Sequence, residues 1–295
     1  MQILDGKLVS RALKDQLAGE VAVLREKGKK IPHLAAILVG HNGASETYVA
    51  AKVKDCEEVG YNSTLLRFDE KISEKNLLDQ ITLLNENADV DGILVQLPLP
   101  AHITEEMIIS SIDPSKDVDG FHPMSMGRLV NGLPTFIPAT PYGILLLLEH
   151  YQIETSGKTA VVIGRSHIVG TPMSILLSRN APFGNCTVTL CHSRTRDIGT
   201  ICRGADIVVT ALGKPEFLQA DMVKEGAIVI DVGITRIPDS SKKSGYRLAG
   251  DVDYPNVAPK CSYITPVPGG VGPMTRAALL KNTFNAAIAQ KPLMN

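Results

Sequence analysis

The stretch Thr159-Ala160-Val161-Val162-Ile163-Gly164-Arg165-Ser166-His167-Ile168-Val169-Gly170 decides the fold. Its first five residues predict a buried strand, the glycines a tight turn, and Met173 to Leu177 the start of a helix. Strand, glycine turn and helix in that order bring backbone N–H groups and a helix N-terminus to a place where a pyrophosphate can dock. Ser166 stands where the second glycine of a GxGxxG fingerprint would be. The loop alone therefore leaves two readings open, dinucleotide binding and a simple change of chain direction. The next strand, Cys186 to Leu190, runs into Cys191-His192-Ser193-Arg194. An NAD-binding unit usually carries a carboxylate there for the ribose 2′-hydroxyl. Here hydroxyl and guanidinium groups stand instead, and Arg165 adds another from the glycine loop. A carboxylate would repel a 2′-phosphate, whereas Arg and Ser donate to it, so the charge pattern favours NADP over NAD. Arg194 read alone is equally a solvated surface charge.

Working outward, the chain alternates strands with helices, the signature of a parallel-sheet α/β protein. Downstream, Asp206 to Ala211, Ala227 to Asp231 and Ser262 to Thr265 read as further strands. Ser240 to Gly245 reads as an exposed hairpin or loop, and a last helix is expected from Thr275. Upstream, Leu13, Leu17, Val21 and Leu24 recur at helical spacing, followed by a buried strand at Leu34 to Val39. A helix through Tyr48, Lys52 and Cys56 comes next, then a strand at Ser63 to Phe68, a helix capped by Ser73, and a strand at Gly92 to Gln96. After the polar turn Asp113 to Gly120 regular structure is expected to pause until Thr140-Pro141. There Thr140 suits an N-cap and Pro141 a first helical position, in a helix expected to link two domains. The reading is therefore α/β, with two domains and a cleft between them, the second a Rossmann-type dinucleotide-binding domain. The expected boundaries are 1–145 plus 275–295 for the first and 146–274 for the second.

Bulk properties narrow the function class. The 295 residues are 44% hydrophobic and 21% charged, and 30 basic against 31 acidic residues leave a net charge of −1. No generally basic surface offers itself to nucleic acid. Nor is there an apolar run of the ~20 residues that a membrane span needs, or a leader-like N-terminus, so a cytoplasmic protein is expected. The five cysteines form no CxxC pair, which favours reduced thiols. The seven histidines show no HxxxH or HExxH spacing, so no metal is expected and each reads as a surface or capping residue.

Tyr48 and Lys52 lie four apart on one predicted helix and share a face. The same YxxxK spacing marks short-chain dehydrogenases. Those open with their glycine loop, whereas here the loop follows the pair by more than a hundred positions. The pair therefore belongs to a separate domain.

Five segments together resemble the bifunctional methylenetetrahydrofolate dehydrogenase/methenyltetrahydrofolate cyclohydrolases. They are Ser45 to Lys52 (SETYVAAK), Gly92 to Pro100 (GILVQLPLP), Lys116 to Gly120 (KDVDG), the Gly164 loop, and Ile264 to Thr275 (ITPVPGGVGPMT). They occur in the family's order and span nearly the whole chain. The resemblance implies that the first domain binds tetrahydrofolate one-carbon derivatives and the second NADP, in a homodimer. It implies Lys52 as the catalytic amine, Gln96 as its hydrogen-bond partner, Tyr48 as the ring covering the folate and Asp119 as the pterin-binding carboxylate. Leu97 and Pro98 would border the substrate, and Pro268, Gly269 and Gly270 the substrate and the nicotinamide. Gly164, Arg165, Ser166, Ile168, Ser193, Arg194 and Ile234 would hold NADP. Departures are His167 inside the loop, and Ala139 and Tyr142 where a Cys and a basic residue are common.

The implied chemistry divides unevenly between the residues. Hydride leaves the bridging carbon of methylene-tetrahydrofolate with help from the nitrogen lone pairs, so no general base is required. Hydrolysis of the methenyl product needs a group that exchanges protons near neutral pH. An ordinary lysine, with pKa ~10.4, is unsuitable until burial lowers it. Gln96 can orient the amine without adding a negative charge that would raise the pKa again. Asp119 competes with a turn role, because Asp113, Asp117 and Asp119 share one turn-rich loop. Rival readings are a monofunctional dehydrogenase, a shikimate or amino-acid dehydrogenase, and a non-catalytic NADP-binding sensor.

Overall fold

The structure, a computed structural model, describes residues 1–242 and 245–289. The chain divides into two compact units. One, here the Lys52 unit, holds Arg11–Ala139 and the chain from Arg276 onward; the other, the Gly164 unit, holds Met1–Ser10 and Thr140–Thr275.

The chain opens with β1 (Gln2–Ile3) and α1 (Gly6–Glu26). The Lys52 unit continues with β2 (His33–Val39), α2 (Gly43–Val59), β3 (Asn62–Phe68), α3 (Glu74–Glu86), β4 (Gly92–Val95), α4 (Glu105–Ser110) and α5 (Pro123–Val130). Its sheet has the order β3-β2-β4, parallel throughout. β2 is buried on both faces, as its unbroken apolar sequence requires. Leu34, Ala36 and Leu38 join the core with Leu17 and Val21 of α1 and Val49 and Cys56 of α2. Ala35, Ile37 and Val39 face the opposite way, onto Leu77, Ile81 and Leu84 of α3. Each fully buried Leu, Ile or Val side chain contributes roughly 1.5–3 kcal/mol relative to an exposed one. An isolated parallel bridge between Ile93 and Asp117 lays the Lys116–Gly120 loop along β4.

The Gly164 unit contains α6 (Ala139–His150), β5 (Thr159–Ile163), α7 (Gly170–Ser178), β6 (Thr187–Cys191), α8 (Ile198–Arg203) and β7 (Ile207–Thr210). It continues through β8 (Ala227–Asp231), β9 (Thr235–Pro238), β10 (Tyr246–Ala249), α9 (Tyr254–Val257) and β11 (Cys261–Ile264) into α10 (Val271–Ile288). Its main sheet has six strands in the order β1-β11-β8-β7-β5-β6, all parallel. From β5 the chain moves first to β6 on one side and then to β7 on the other. This reversal opens a crevice at the carboxyl end of β5, the place where doubly wound sheets take their ligands.

Several expectations shift. Residues 1–10 fall with the Gly164 unit rather than with the first domain, because Gln2 and Ile3 pair with Tyr263 and Ile264. The boundary lies at Thr140, so α6 starts one residue before it and runs almost wholly within the Gly164 unit. Thr140 is not an N-cap: the helix starts at Ala139, and the Thr140 hydroxyl pairs with Thr275 Oγ1 at 3.0 Å. The pause between Gly120 and Thr140 contains α5, started by Pro123 behind a His122 cap whose Nδ1 accepts from Met124 N at 2.9 Å. α10 begins at Val271, since Pro273 is tolerated in a first turn whose N–H groups have no intrahelical partner. Ser73 caps α3 as expected, accepting from Asn76 N at 3.2 Å. β9 and β10 form an antiparallel hairpin around the segment expected as one. Lys243 and Ser244 in that segment, and the end of the expected last helix beyond 289, lie outside the described residues. No helix among the described residues is long and apolar enough to cross a membrane.

Candidate active site

In the Lys52 unit three of the expected residues come together for topological reasons. Gln96 directly follows β4, and its N–H donates to Ile37 O at 2.9 Å, extending the ladder by one residue. α2 buries Ser45, Val49 and Cys56, and this stripe turns Lys52 inward at the carboxyl ends of the strands. Lys52 Nζ donates to Gln96 Oε1 at 3.1 Å. Gln96 Nε2 donates to Leu97 O at 2.8 Å, which fixes the amide with its oxygen toward the lysine. The Ile93–Asp117 bridge carries Asp119 to the level of the β4 end, near enough for its charge to act on Lys52. Burial pushes the Lys52 ammonium below the ordinary lysine range, and Asp119 opposes this only in part. Burial raises the Asp119 carboxyl, with Lys52 pulling the other way.

The three aspartates of this loop differ in what their carboxylates hold. Asp113 accepts from the N–H and hydroxyl of Ser115 at 2.8 and 2.7 Å, an Asp-turn. Asp117 is buried and accepts from Phe121 N, His122 N and Ser125 Oγ at 3.2, 2.9 and 2.8 Å. Burial raises it to about 7 against those three bonds. The Asp119 carboxylate accepts no hydrogen bond from any described residue, while its backbone carbonyl takes Ala139 N at 3.3 Å. Two aspartates hold the loop, and the third is left available. Buried Asn282 of α10 secures the same loop, donating to Val118 O at 2.8 Å and Ile137 O at 2.9 Å. Tyr48, one turn before Lys52, is exposed and unpaired, and Leu97 and Pro98, joined to each other by a cis peptide bond, directly follow Gln96. A cavity of about 690 Å³ in this unit, lined by Lys30, Lys116 and Phe136 among others, includes none of Tyr48, Lys52, Gln96 and Asp119. Its Lys116 ammonium is already committed to the carbonyls of Leu84, Asn85 and Asn87.

In the Gly164 unit the glycine loop fits a pyrophosphate. Gly164 has φ +118°, and a Cβ there would run into the Ala211 carbonyl. A Cβ on Gly170 would run into the Gly164 carbonyl, so this glycine lets α7 start hard against the strand end. Ser166 replaces the middle glycine usefully: its Oγ accepts from Val169 N and Gly170 N at 3.2 and 3.4 Å, capping the helix. Gly164 N donates to Cys191 O at 2.9 Å, which brings the end of β6 beside the loop. There Ser193 and Arg194 are exposed, as is Arg165, and neither guanidinium has a partner among the described residues. Two unpaired cations and a free hydroxyl suit a dianionic 2′-phosphate. Ile168 and Ile234 are exposed, the latter just past β8. Pro268, Gly269 and Gly270 lie between β11 and α10, pinned by Gly270 N to Pro266 O at 2.8 Å and Lys7 N to Gly269 O at 3.1 Å.

The histidines behave as caps and surface partners. His33 meets Thr64 Oγ1 at 2.9 Å, His102 meets Ile72 O at 2.9 Å, and His192 Nδ1 accepts from Arg194 N at 3.1 Å. The buried residues that sequence reasoning missed are Asp117, Asn282, Asp231 and Asp251. Only the DxD spacing of Asp117 and Asp119 hinted at any of them.

Comparison with known proteins agrees over nearly the full chain. Residues 4–119 match the model of the tetrahydrofolate dehydrogenase/cyclohydrolase catalytic domain, and residues 138–291 that of the family's NAD(P)-binding domain. The bifunctional protein FolD of Phocaeicola vulgatus is 59% identical over 97% of this chain and 98% of its own length. The crystal structure of the bifunctional enzyme FolD, a methylenetetrahydrofolate dehydrogenase/cyclohydrolase from Campylobacter jejuni, superposes with TM-score 0.93 at 48% identity. That match covers 99% of this chain and 100% of the other. The Trypanosoma brucei methylenetetrahydrofolate dehydrogenase-cyclohydrolase, solved with NADP cofactor and inhibitor, gives TM-score 0.90 at 38% identity over 96% of each chain. With both domain models matched in order and relatives this similar, the chain belongs to the tetrahydrofolate dehydrogenase/cyclohydrolase family.

Proposed function

We propose that this protein oxidises 5,10-methylene-tetrahydrofolate to the methenyl form with NADP⁺ and hydrolyses that product to 10-formyl-tetrahydrofolate. The Lys52 unit is the folate-binding catalytic domain and the Gly164 unit the NADP-binding domain. The carrying observation is an amine held by a neutral amide, Lys52 Nζ at 3.1 Å from Gln96 Oε1, in surroundings that disfavour its charge.

NADP⁺, when bound, accepts the hydride that leaves the bridging carbon. The chain's share of that step is positioning. Asp119 accepts the parallel N–H donors of the pterin edge, the use for which its unoccupied oxygens are suited. Tyr48 covers the ring, Leu97 and Pro98 flank it, and Pro268 to Gly270 bound the substrate. Gly164, Arg165, Ser166, Ile168, Ser193, Arg194 and Ile234 hold the cofactor, with the two arginines selecting NADP over NAD.

Hydrolysis asks more of the side chains. Water adds to the methenyl carbon, and the neutral Lys52 amine takes its proton. One C–N bond then breaks as the hydroxyl on that carbon becomes the formyl carbonyl and gives up its remaining proton to solvent, while the lysine ammonium returns the first proton to the departing nitrogen. Gln96 aims the amine and adds no charge that would trap it as ammonium. The family resemblance implies a homodimer as the working form.

One spectrophotometric experiment tests the whole reading. Methylene-tetrahydrofolate with NADP⁺ should give a transient methenyl band, and methenyl-tetrahydrofolate supplied alone should decay without nicotinamide. A methenyl band that accumulates and stays would mark a monofunctional dehydrogenase. No turnover with either substrate would mark a binding protein, and equal kcat/KM with NAD⁺ would overturn the role given to Arg165 and Arg194.

A further inference from the structure

Asp231 and Asp251 in the Gly164 unit are 3% and 0% exposed, and neither forms an ion pair among the described residues. Their charge is met by backbone N–H groups. Asp251 accepts from Leu212 N at 2.6 Å, Gly213 N at 3.2 Å and Lys214 N at 2.8 Å. Asp231 accepts from Gly233 N at 3.0 Å, Asp251 N at 2.9 Å, Val252 N at 3.0 Å and Thr210 Oγ1 at 3.2 Å. Asp231 N in turn donates to Thr265 Oγ1 at 2.7 Å. A Cβ on Gly233 would strike the Asp251 carboxylate, and one on Gly250 the Asp231 carboxylate, so both backbones are packed onto these groups.

The bonds join four chain segments, those that follow β7, β8, β10 and β11. Two of them lead directly into candidate binding residues: Gly233 precedes Ile234, and Thr265 precedes the Pro266–Gly270 loop. Two buried carboxylates without cations are a costly way to stabilise a fold, and apolar side chains would do so more cheaply. What carboxylates supply that apolar groups cannot is a fixed set of N–H directions in several loops at once.

We infer that Asp231 and Asp251 are positioning residues for the cofactor, locking the loops after β7 and β8 into one arrangement that receives NADP. The inference rests on the NADP reading given above. Asp251→Asn tests it most directly, because the amide keeps the volume but turns one acceptor into a donor facing N–H groups. Both carboxylate oxygens accept from N–H groups, so rotating the amide does not relieve the clash. The intact enzyme is titrated with NADP⁺ by calorimetry, and KM is measured separately for NADP⁺ and for methylene-tetrahydrofolate. The expected result is an NADP⁺ Kd weaker by about ten- to a hundredfold, the factor carried by a hydrogen bond to a charged group. The folate KM should move much less. Thr210→Val removes a single bond to Asp231 at nearly constant shape. It should weaken NADP⁺ by about threefold to tenfold, and it carries the test if Asp251→Asn does not fold. Variants that melt earlier yet keep wild-type NADP⁺ affinity would show the carboxylates to be structural only, and the inference would be lost. A wild-type enzyme with no saturable NADP⁺ binding would instead overturn the cofactor reading, and the inference with it.

Discussion

Replacing Gln96 by Glu is the most direct perturbation of the hydrolytic step. It changes little in volume and places a negative charge where the amide oxygen now sits, 3.1 Å from Lys52 Nζ. At that separation the attraction is about 1 kcal/mol in a water-like dielectric and about 5 kcal/mol at an effective dielectric of about 20. Each ~1.4 kcal/mol in favour of the ammonium lowers the neutral fraction about tenfold at fixed pH. The site is partly buried and Lys52 is already desolvated, so the larger figure is the nearer one. Cyclohydrolase turnover at neutral pH should therefore fall by at least about tenfold, and towards a thousandfold in the drier limit. The sign fixes the shape of the pH profile. A base with a raised pKa needs higher pH to become neutral, so the acid limb of kcat/KM must move to alkaline pH. Hydride transfer, which needs no base, should lose far less. Gln96→Met is the control: it loosens the amine without adding charge, so activity falls while the limb does not move to alkaline pH. An unmoved limb in Gln96→Glu, or equal losses in both activities, would refute the assignment of the base.

Other substitutions separate the remaining roles. Lys52→Met should abolish cyclohydrolase activity while dehydrogenase activity persists at a reduced level, as the two halves of the coupled assay will show. Asp119→Ala should raise the folate KM by about tenfold or more and leave NADP⁺ binding unchanged in a titration, since its carboxylate holds nothing else. Burial raises Asp117 from 3.8 to about 7, so the folded state binds a proton more tightly than the unfolded state. Its contribution to stability is full below the unfolded pKa and is lost as pH rises through the folded one. Asp117→Asn should accordingly flatten the pH dependence of the urea-unfolding free energy between those values. Gly164→Ala, forced to φ +118° and against the Ala211 carbonyl, should cost about 1–3 kcal/mol or more in the same unfolding assay.

The parts of this protein legible in its sequence are those set by local pattern. β2 and β5 show themselves as apolar runs ending at glycines, and both are where expected. The pairing of Lys52 with Gln96, across 44 residues, came from the family's motifs and not from spacing. Spacing alone could not choose between Asp117 and Asp119, because which carboxylate meets N–H groups depends on how the loop lies along β4. The parts that stayed hidden are long-range. Two residues at Gln2–Ile3 carry no strand signal of their own and become a strand only because β11 offers an unpaired edge. Asn282 and Asp251 look like ordinary polar residues until the carbonyls and N–H groups that surround them are seen. Thr140 had the right chemistry for a cap, but the helix took in Ala139 and left its hydroxyl for Thr275.

The pairing of β1 with β11 also constrains how the molecule can be assembled on the ribosome. Ile3 meets Ile264, so about 260 residues must be synthesised before the first strand finds its neighbour. The Lys52 unit waits as well, because Leu279, Leu280 and Phe284 complete its interior. The Gly164 unit cannot finish folding before β11 has been made, and the Lys52 unit not before the last helix. Cutting the gene between residues 139 and 140 would thus yield two fragments that each lack a piece held by the other, and the pair should recover activity only when co-expressed.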